Sequence, residues 1–513
     1  MSFETIPIST VNKSTLDIQV ISVSSGESNE PDPPRTMGVF TGASMVVGSM
    51  VGSGILSTPA FILSLVGSPG AALLLWVLGA IITLGGALAY VEMGVMWPQN
   101  GGTQHYLAHA YPKPKTMLSY TFIWCTLFAD QPAAIAANTA VFGKFVLFAI
   151  YGSPVEHTAA PNGWLSRSIG LFAITLLLVL NSFSVKAAQR FHTSLTTVKI
   201  LILLVICLSG LLALAGVIKV PEEARQNWSH PFANTNMNVG STASALQKVF
   251  WGYGGWSTLC YSLGELRDPS KNMPRATTLG VGLTSILYIT ANIGFFAVVP
   301  LALALESKEI LAAEFTYIVF GNYAGRIVLP VLIAISILGS LSAQIYTGAR
   351  ITVSAAKSRF IPCSQRISLL HPVYGTPVAA LFFNCSMILL YLLASPPGDT
   401  FNFLTGFVQY PNRFFYGMSV LGCLLLRRYL PHHPRRTFRA SNVLIVSFVI
   451  TSIFLVVFPF FPPAISVTNS LYPYWLSPVL GLLVLVVSII MWYARMVWWP
   501  RKTLVDSKES IGS

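Results

Sequence analysis

Charged residues are scarce in this chain, and that scarcity excludes most classes of soluble protein. Asp, Glu, Lys and Arg make up only 10% of the 513 residues, whereas 53% are apolar and the mean hydropathy is +0.65. Soluble domains carry roughly 25% charged residues. Apolar runs long enough to cross a bilayer, which takes about 20 residues, recur along the chain. The composition therefore predicts an all-α polytopic membrane protein embedded in the lipid bilayer.

Cysteines and the common catalytic motifs are also few or absent. The six cysteines lie in apolar spans or in a loop expected in the cytosol, without a CxxC spacing. This pattern implies neither a disulfide framework nor a metal site. The spans contain no HExxH or GxSxG motif and no paired His and Asp array, so a membrane enzyme would lack its catalytic parts. We therefore predict no enzyme activity, no cofactor and no metal.

Acidic side chains are outnumbered by basic ones, 18 to 31, which gives a formal net charge of +13. In a soluble protein this excess would suggest nucleic acid, but in a membrane protein it marks cytoplasmic loops. With the N-terminus inside, about 22 basic residues fall inside and about 5 outside, as the positive-inside rule requires. We predict cytoplasmic termini, no nucleic-acid partner, and a place in the plasma membrane, with an internal membrane left open.

About twelve apolar spans lie between two polar tails. Residues 1–37 predict a disordered cytosolic tail and not a signal peptide, and residues 500–513 predict a second cytosolic tail. The transmembrane domain is expected over 38–499, with Asn227 in an external loop as a glycosylation acceptor. Spans 1 to 12 are expected at about 38–65, 70–97, 116–150, 164–183, 193–217, 244–264, 276–301, 326–349, 376–394, 400–426, 441–462 and 472–499.

Span 1 contains a glycine-rich stretch that predicts a break in its helix. Gly48, Gly52 and Gly54 are followed closely by Pro59, and glycine at this density weakens a helix. Backbone without hydrogen bonds is tolerated at membrane depth only where it faces a cavity. The free amides of Gly52-Ser53-Gly54 would then favour an anion, as a helix N-terminus does. The alternative is a glycine-rich face that packs against a neighbouring helix.

Span 6 repeats this feature, with three glycines in four positions within Phe250–Trp256. If spans 1–5 (38–217) and 6–10 (244–426) form a repeat, the two breaks occupy corresponding positions in halves of opposite orientation, with spans 11 and 12 (441–499) outside. Paired breaks of this kind indicate the midplane site of a secondary transporter. Amides at the first break suit a carboxylate and freed carbonyls suit an ammonium group, so the expected ligand is a zwitterionic amino acid.

Several separated motifs resemble the L-type amino acid transporters of the amino acid–polyamine–organocation superfamily. They are VGSGILSTPA in span 1, WPQNGGTQHYLAHAYP after span 2, FWGYGGWSTLCYSLGELRDPSKNMPRA from span 6 onwards, LGSLSAQIYTGARITVSAAKSRFIP in span 8 and HPVYGTPVAALFFNCSMILLY in span 9. The resemblance implies a five-plus-five inverted repeat with spans 1 and 6 broken. It implies a substrate site made of Met50, Gly52, Ser53, Gly54, Trp251, Gly252, Tyr253 and Gly254.

The resemblance also implies individual roles. The substrate carboxylate would bind at Ser53 and Gly54, the amine at carbonyls of both breaks, and Trp251 would be the aromatic gate, or else an aromatic that fills the core. Lys199 in span 5 matches a lysine that stands in for a sodium ion in sodium-independent relatives. We therefore predict sodium-independent transport, with Lys199 as a fixed charge or a proton carrier, unless it snorkels.

The sequence departs from the family pattern at positions that bear on specificity. Gln131 in span 3 stands where relatives tend to have Arg, and Arg413 in span 10 is unusual for the family. Asp130 and Arg413 are opposite charges within spans, so a direct pair is one hypothesis, and separate partners or water are the other. Glu92, Lys144 and Lys248 lie near span ends, where snorkelling would explain them.

A disulfide-linked heavy chain is not expected as a partner. Light chains of this family use a cysteine between spans 3 and 4, and the corresponding segment, 152–163, has none. A self-sufficient transporter is therefore expected.

Together these features predict a secondary active transporter that works by alternating access. A bundle containing spans 1 and 6 would rock against a scaffold of spans 3, 4, 8 and 9. Neutral, bulky L-amino acids are the expected substrates; cationic amino acids, read by Asp130, or an amino-acid-like metabolite are the alternatives. Exchange, proton symport and facilitated diffusion stay open. A receptor that binds without transporting would keep the same site, whereas a channel would need a continuous polar pore.

Overall fold

The computed structural model describes residues 35–114, 116–152, 163–183, 185–357, 360–361, 363–369, 371, 376–396, 399–463 and 472–498. Most of the predicted N-terminal tail, the whole C-terminal tail and most of the loop between spans 3 and 4 lie outside these ranges. Within them the regular elements are helices, apart from one isolated bridge between Met37 and Leu266. The end of the bundle that holds this bridge is called the inner end below, and the opposite one the outer end.

Each of the twelve predicted spans corresponds to a helix or a broken helix. Five spans, the first of them broken, precede the short helix Glu222–Gln226, and seven spans, again with the first broken, follow it. The helices of spans 1 to 12 are Val39–Met50, Ser53–Ser57 and Pro59–Val66; Pro69–Met96; Met117–Cys125 and Gln131–Tyr151; Gly163–Phe183; Val185–Leu214; Val239–Gly252; Pro269–Val298; Leu329–Lys357; Val378–Ala394; Thr400–Tyr429; Asn442–Val457; and Leu476–Trp492.

The outer surface of the bundle is suited to lipid. Nine helical stretches of the described chain are long and apolar enough to cross a membrane, and Val378–Ala394 is apolar but shorter. Large apolar side chains point outwards, among them Phe172 (73% exposed) and Ile286 (64%). Spans 6 and 10 are missing from the nine stretches because the first ends at its break after 14 residues and the second carries Gln409, Asn412 and Arg413. The chain is therefore an integral multi-pass membrane protein.

Two sets of spans pack closely, and span 5 joins them through its contact with span 8. Spans 3, 4, 8 and 9 contact one another, while span 7 packs on spans 1, 2 and 5, and span 6 packs on spans 1 and 2. In the apolar 18-residue stretch of span 3, 72% of the residues are buried, against 28% in the corresponding stretches of spans 11 and 12. Span 3 therefore lies at the centre, and the last two spans lie at the periphery.

Three charged side chains that the sequence analysis explained by snorkelling are partly or fully buried. Glu92 is fully buried and accepts hydrogen bonds from Arg427 Nε and the Ala440 amide, both at 2.9 Å. Lys248 is also buried, and Lys144 Nζ lies 2.7 Å from Glu309 Oε2. The snorkelling explanation is wrong because each of these charges has polar partners inside the fold, which compensate its lost hydration.

Glu309 belongs to a helical segment that the sequence analysis missed. Helices Leu301–Glu306 and Leu311–Tyr323, with a 3₁₀ turn between them, connect spans 7 and 8 at the outer end. The helix Gly102–Ala110 between spans 2 and 3 was missed as well. These helices are too short or too polar to resemble spans, and they form because they pack on the bundle.

Asn227 has a structural role in the folded chain. Its Nδ2, the atom to which a glycan would be attached, is buried and donates hydrogen bonds to Phe296 O (3.0 Å) and Val299 O (2.9 Å). Glycosylation at this position stays a prediction, and it would have to precede the folding of this segment.

Candidate substrate site at the two helix breaks

The first break follows Met50. Val51 and Gly52 are extended (φ −70°, ψ 100° and φ −144°, ψ −157°), and a new helical segment begins at Ser53. No side chain caps this segment, so the first amides, those of Ser53 and Gly54, keep their hydrogen-bonding capacity. Thr58 has helical dihedrals and joins this segment to Pro59–Val66. The amides of Ser53 and Gly54 therefore lie at the N-terminus of a helix made of two segments.

The second break follows Gly252. Residues 253–257 form turns, and a 3₁₀ helix, Thr258–Tyr261, continues towards the inner end. Gly255 has φ +96°, and a Cβ there would lie 2.6 Å from Ser49 O. A Cβ on Gly54 would lie 2.7 Å from Gly252 Cα. The two breaks therefore touch, and both predicted unwound turns are confirmed.

One cavity of about 770 Å³ lies at the two breaks. Volumes of this order hold small molecules. The predicted site residues that line it are Met50, Gly52, Ser53, Gly54, Trp251, Gly252 and Gly254, together with Lys199, Asp130 and Arg413. Before the first break and after the second, the lining continues through Ser44 and Thr258, which places the cavity between the breaks and the inner end.

Tyr253 was wrongly predicted to bind substrate. It is fully buried, does not line the cavity, and donates its hydroxyl hydrogen bond to Trp76 O at 3.1 Å. Its ring packs against Trp76 and Tyr288. The turn after Gly252 directs this side chain into the core on span 2, which the spacing of glycines alone does not reveal.

Lys199 lies beside the first break. It lines the main cavity and also a small neighbouring pocket formed with Val51, Gly52, Ile202 and Ser336. Spans 1, 5 and 8 meet at this place. Its position agrees with the one that the resemblance implies, and its role in the transport cycle stays a prediction.

Asp130 and Arg413 have separate partners. Asp130 Oδ1 accepts a hydrogen bond from Asn412 Nδ2 at 2.7 Å. The Arg413 guanidinium lies 4.3 Å from the centre of the Phe250 ring. The ion pairs found among the described residues do not include the two. The hypothesis of a direct pair is therefore wrong for this structure, and the alternative of separate partners holds.

Tyr288 in span 7 was missed, although it joins the two breaks. Its hydroxyl lies 2.5 Å from Met50 O and 3.1 Å from Gly252 O. These are carbonyls that the breaks free from helical hydrogen bonding, and one hydroxyl hydrogen shared between them holds the breaks together. A tyrosine in the middle of an apolar span was the available signal.

A chain of polar side chains connects the first break to spans 3 and 8. Ser53 Oγ donates to Asn138 Oδ1, and Asn138 Nδ2 lies 3.5 Å from Gln344 Oε1. Gln131 Nε2 donates to Gln344 O at 2.9 Å. A carboxylate bound at Ser53 would compete with Asn138 for the serine hydroxyl. Asn138 and Gln344 are polar residues within apolar spans, which would have marked them as candidates.

On the outer side of Trp251, which lines the cavity, lies a cluster that we call the outer plug: Phe61, Lys248, Trp251 and Phe401. The Phe401 ring lies 6.1 Å from both Phe61 and Trp251 between ring centres. Lys248 Nζ lies 5.5 Å from the Phe61 ring and 5.9 Å from the Phe401 ring. It also donates to Asn402 O (3.0 Å) and Thr405 Oγ1 (2.6 Å). Trp251 both lines the cavity and belongs to this cluster, and its role as a gate stays a prediction.

Two broken helices that meet over one cavity are the arrangement expected of a permease. The sequence profile of the amino acid permease family matches residues 37–487. The chain belongs to this family, and its resemblance to the L-type transporters of the amino acid–polyamine–organocation superfamily is confirmed.

Individual relatives agree with this assignment. The chain is 29% identical to the high-affinity methionine permease of Saccharomyces cerevisiae over 87% of its own length and 76% of that protein. It is 28% identical to the b(0,+)-type amino acid transporter 1 of Homo sapiens, over 85% of each chain. It is also 28% identical to the large neutral amino acids transporter small subunit 2 of Homo sapiens, over 78% of this chain and 71% of that one.

Proposed function

We propose that this permease is a sodium-independent secondary transporter of neutral amino acids, bulky ones first, and that it works by alternating access. The observation that carries the proposal is the direct contact of the two breaks over a single cavity, because free amides and free carbonyls then face one ligand. Methionine and large neutral amino acids appear in the printed names of two relatives, which supports this substrate class.

The substrate would be held through its α-carboxylate and α-ammonium groups. The uncapped amides of Ser53 and Gly54 suit the carboxylate. The carbonyls of Met50 and Gly252 each have a second lone pair beside the one that faces Tyr288. These carbonyls can therefore accept from an ammonium group while the breaks stay joined.

Alternating access is supported by the packing. The scaffold of spans 3, 4, 8 and 9 is a contiguous group, and spans 1 and 6 contact each other beside it. The cavity lies on the inner side of the breaks and the outer plug closes the other side, as expected for a transporter in an inward-facing state. Release of the plug and closure of the inner cavity would give the outward-facing state.

Lys199 supports the sodium-independent part of the proposal. Its side chain occupies the contact of spans 1, 5 and 8 next to Gly52, so a fixed or exchangeable positive charge stands beside the first break. Lys199→Ala should reduce uptake and alter its pH profile. An unaltered rate and pH profile in this variant would remove Lys199 from the mechanism.

The main test is radiolabelled uptake by the purified full chain in liposomes. Neutral, cationic and anionic amino acids are supplied with sodium, with a proton gradient, or with internal amino acid, each separately. Uptake of neutral amino acids without sodium is expected. Stimulation by internal substrate alone would make the protein an exchanger, whereas a requirement for an inward proton gradient would make it a symporter.

Two outcomes would contradict the proposal. Uptake that depends on sodium would contradict the role inferred from Lys199. If amino acids stabilise the purified protein against heat but none is transported, the receptor hypothesis replaces transport.

A further inference from the structure

The cavity contains a guanidinium group whose described partners are all uncharged. Arg413 is only 3% exposed and lines the cavity. Its Nε and Nη2 both lie 3.4 Å from Gln409 Oε1, and its Cζ lies 4.3 Å from the Phe250 ring centre and 5.9 Å from that of Tyr416. Two long hydrogen bonds and two ring contacts are weak compensation for a buried charge.

The ion pairs found among the described residues do not include Arg413. Asp130 is the carboxylate that lines the cavity, and it accepts its hydrogen bond from Asn412. Glu92 and Glu309 are engaged in ion pairs with other basic residues. An arginine stays protonated in proteins, so Arg413 presents a positive charge to whatever enters the cavity. Charged residues inside membrane bundles that face a cavity mark substrate paths.

The position of Arg413 relative to the breaks fits a side-chain subsite. Phe250, which the guanidinium covers, directly precedes Trp251 and Gly252 at the second break. An amino acid held at the breaks by its α-groups would therefore extend its side chain into a cavity that Arg413 shares. The charged residues lining the cavity are Lys199, Arg413 and Asp130, two positive and one negative. A zwitterion leaves this excess in place, whereas an acidic amino acid balances it.

We propose that Arg413 is a specificity-determining residue that binds an anionic group at the end of the substrate's side chain. The permease would then accept acidic amino acids beside neutral ones. The guanidinium fork matches a carboxylate with two parallel hydrogen bonds, a geometry that a lysine cannot reproduce. This inference rests on the proposed function, because it assumes that the α-groups bind at the breaks.

The experiment compares uptake of radiolabelled glutamate and leucine in liposomes that contain the full chain. The wild type should take up both, and glutamate and aspartate should inhibit leucine uptake. Arg413→Gln should lower the glutamate-to-leucine ratio at least tenfold. Arg413→Lys should give an intermediate ratio, since it keeps the charge and loses the fork. The ratio is the readout because loss of folded protein lowers both rates together.

Arg167→Gln is the matched control. Arg167 is as buried as Arg413, but it does not line the cavity; it donates to Ser395 and to Thr400 Oγ1, which ties span 4 to the start of span 10. Its substitution removes a buried guanidinium from the same bundle. The glutamate and leucine rates of this variant should fall by similar factors, and thermal unfolding of both variants reports how much folded protein remains.

Distinct results separate failure of this inference from failure of the proposed function. The inference is overturned if the wild type transports leucine but glutamate and aspartate are neither transported nor inhibitory. It is equally overturned if Arg413→Gln and Arg167→Gln leave the same ratio. If no amino acid of any class is bound or transported, the proposed function itself fails.

Discussion

At the scale of single residues, the site depends on positions where any side chain would separate the two breaks. Gly54 and Gly252 face each other so closely that a Cβ on Gly54 would approach Gly252 Cα to 2.7 Å. Real Cβ atoms do not come that close to a backbone atom, so the breaks would have to move apart. Tyr288 spans the same contact with its hydroxyl, and a shift of the backbone would lose both of its hydrogen bonds.

Gly54→Ala should therefore reduce uptake at least tenfold. The added methyl group collides with backbone and not with a flexible side chain, so local repacking cannot absorb it. Gly282→Ala in span 7 is the matched control, because a Cβ at Gly282 meets no atom within 4 Å; it should keep uptake and raise helix stability by about 0.5–1 kcal/mol. Equal uptake by the two variants would show that the contact of the breaks is dispensable.

Tyr288→Phe tests the hydroxyl without changing the ring. Loss of a hydrogen bond to two break carbonyls should cost about 1 kcal/mol of stability and should lower uptake severalfold. Tyr253→Phe removes the hydroxyl of a neighbouring buried tyrosine that donates to Trp76 O. Tyr253→Phe should lower the melting temperature about as much as Tyr288→Phe does, but it should reduce uptake less. If the two variants lose uptake equally, Tyr288 has no special role at the breaks.

At the scale of elements, the outer plug joins helices that would part when the outer side opens in the proposed alternating-access cycle. Phe61 belongs to span 1, Lys248 and Trp251 to span 6, and Phe401 to span 10. Lys248 is buried and makes contacts of two kinds in this cluster: hydrogen bonds to span 10 and contacts with the Phe61 and Phe401 rings. Its contacts to span 10 stabilise the closed plug in this structure and would be lost on opening.

Lys248→Met should therefore shift the conformational equilibrium towards the outward-facing state. To measure this shift, Ala134→Cys places a reporter cysteine on the cavity wall of a protein that also carries Cys363→Ser. An impermeant thiol reagent is then added from the outer side, and the rate at which it labels the reporter is measured. Labelling should be severalfold faster with Lys248→Met. Gln247→Met, which alters the neighbouring residue that faces Leu455 O, should leave the rate near that of the parent. A parent-like rate for Lys248→Met would contradict the role of the plug.

The short helix Gly102–Ala110 predicts a dependence of stability on pH. His109 stacks on Trp97 with 4.4 Å between ring centres. Burial, followed by the nearby His105 and His433 rings, lowers the pKa of His109 to about 4. The pKa of an unfolded histidine is about 6.5. The folded state thus disfavours the proton: stability is full above about pH 6.5 and falls as the pH drops towards 4.

Acidification from pH 7 to pH 5 should cost about 2 kcal/mol through His109. The cost is measured as a fall in the melting temperature in detergent. His109→Phe keeps the stacked ring without the titration, so its melting temperature should fall less over the same pH range. Burial, followed by the nearby Arg436 and Arg435, lowers the pKa of His433. Both arginines stay charged in the two proteins, so their effect cancels in the comparison. Equal falls would show that other groups cause the acid sensitivity.

At the scale of the whole molecule, the cysteines bear on its partners. All six are free; Cys363 is exposed and the other five are buried. On non-reducing electrophoresis the protein should run as one species, and a hydrophilic thiol reagent should label only Cys363. Cys363→Ser should abolish that labelling. A larger species that disappears on reduction would indicate a disulfide-linked partner after all.

The sequence predicted the architecture well because the bilayer leaves few choices. Apolar length and the distribution of basic residues mark the spans, and the paired glycine clusters mark the breaks. The prediction failed where tertiary contacts decide. Tyr253 turns into the core, the helices between spans 7 and 8 form by packing, and Glu92 and Lys248 are buried with partners supplied by distant spans.

By itself, then, the sequence determined the fold class, the number of spans and the two breaks, because these follow from hydropathy and backbone freedom along the chain. Only the tertiary structure decided which polar residues face the cavity and which face one another. Asp130 and Arg413 show the difference: their charges are evident in the sequence, yet Asp130 is paired with Asn412 and Arg413 is left to the cavity. The physical reason is that the pairing of side chains depends on how the helices are rotated and packed. That packing depends on contacts between residues that lie far apart in the chain.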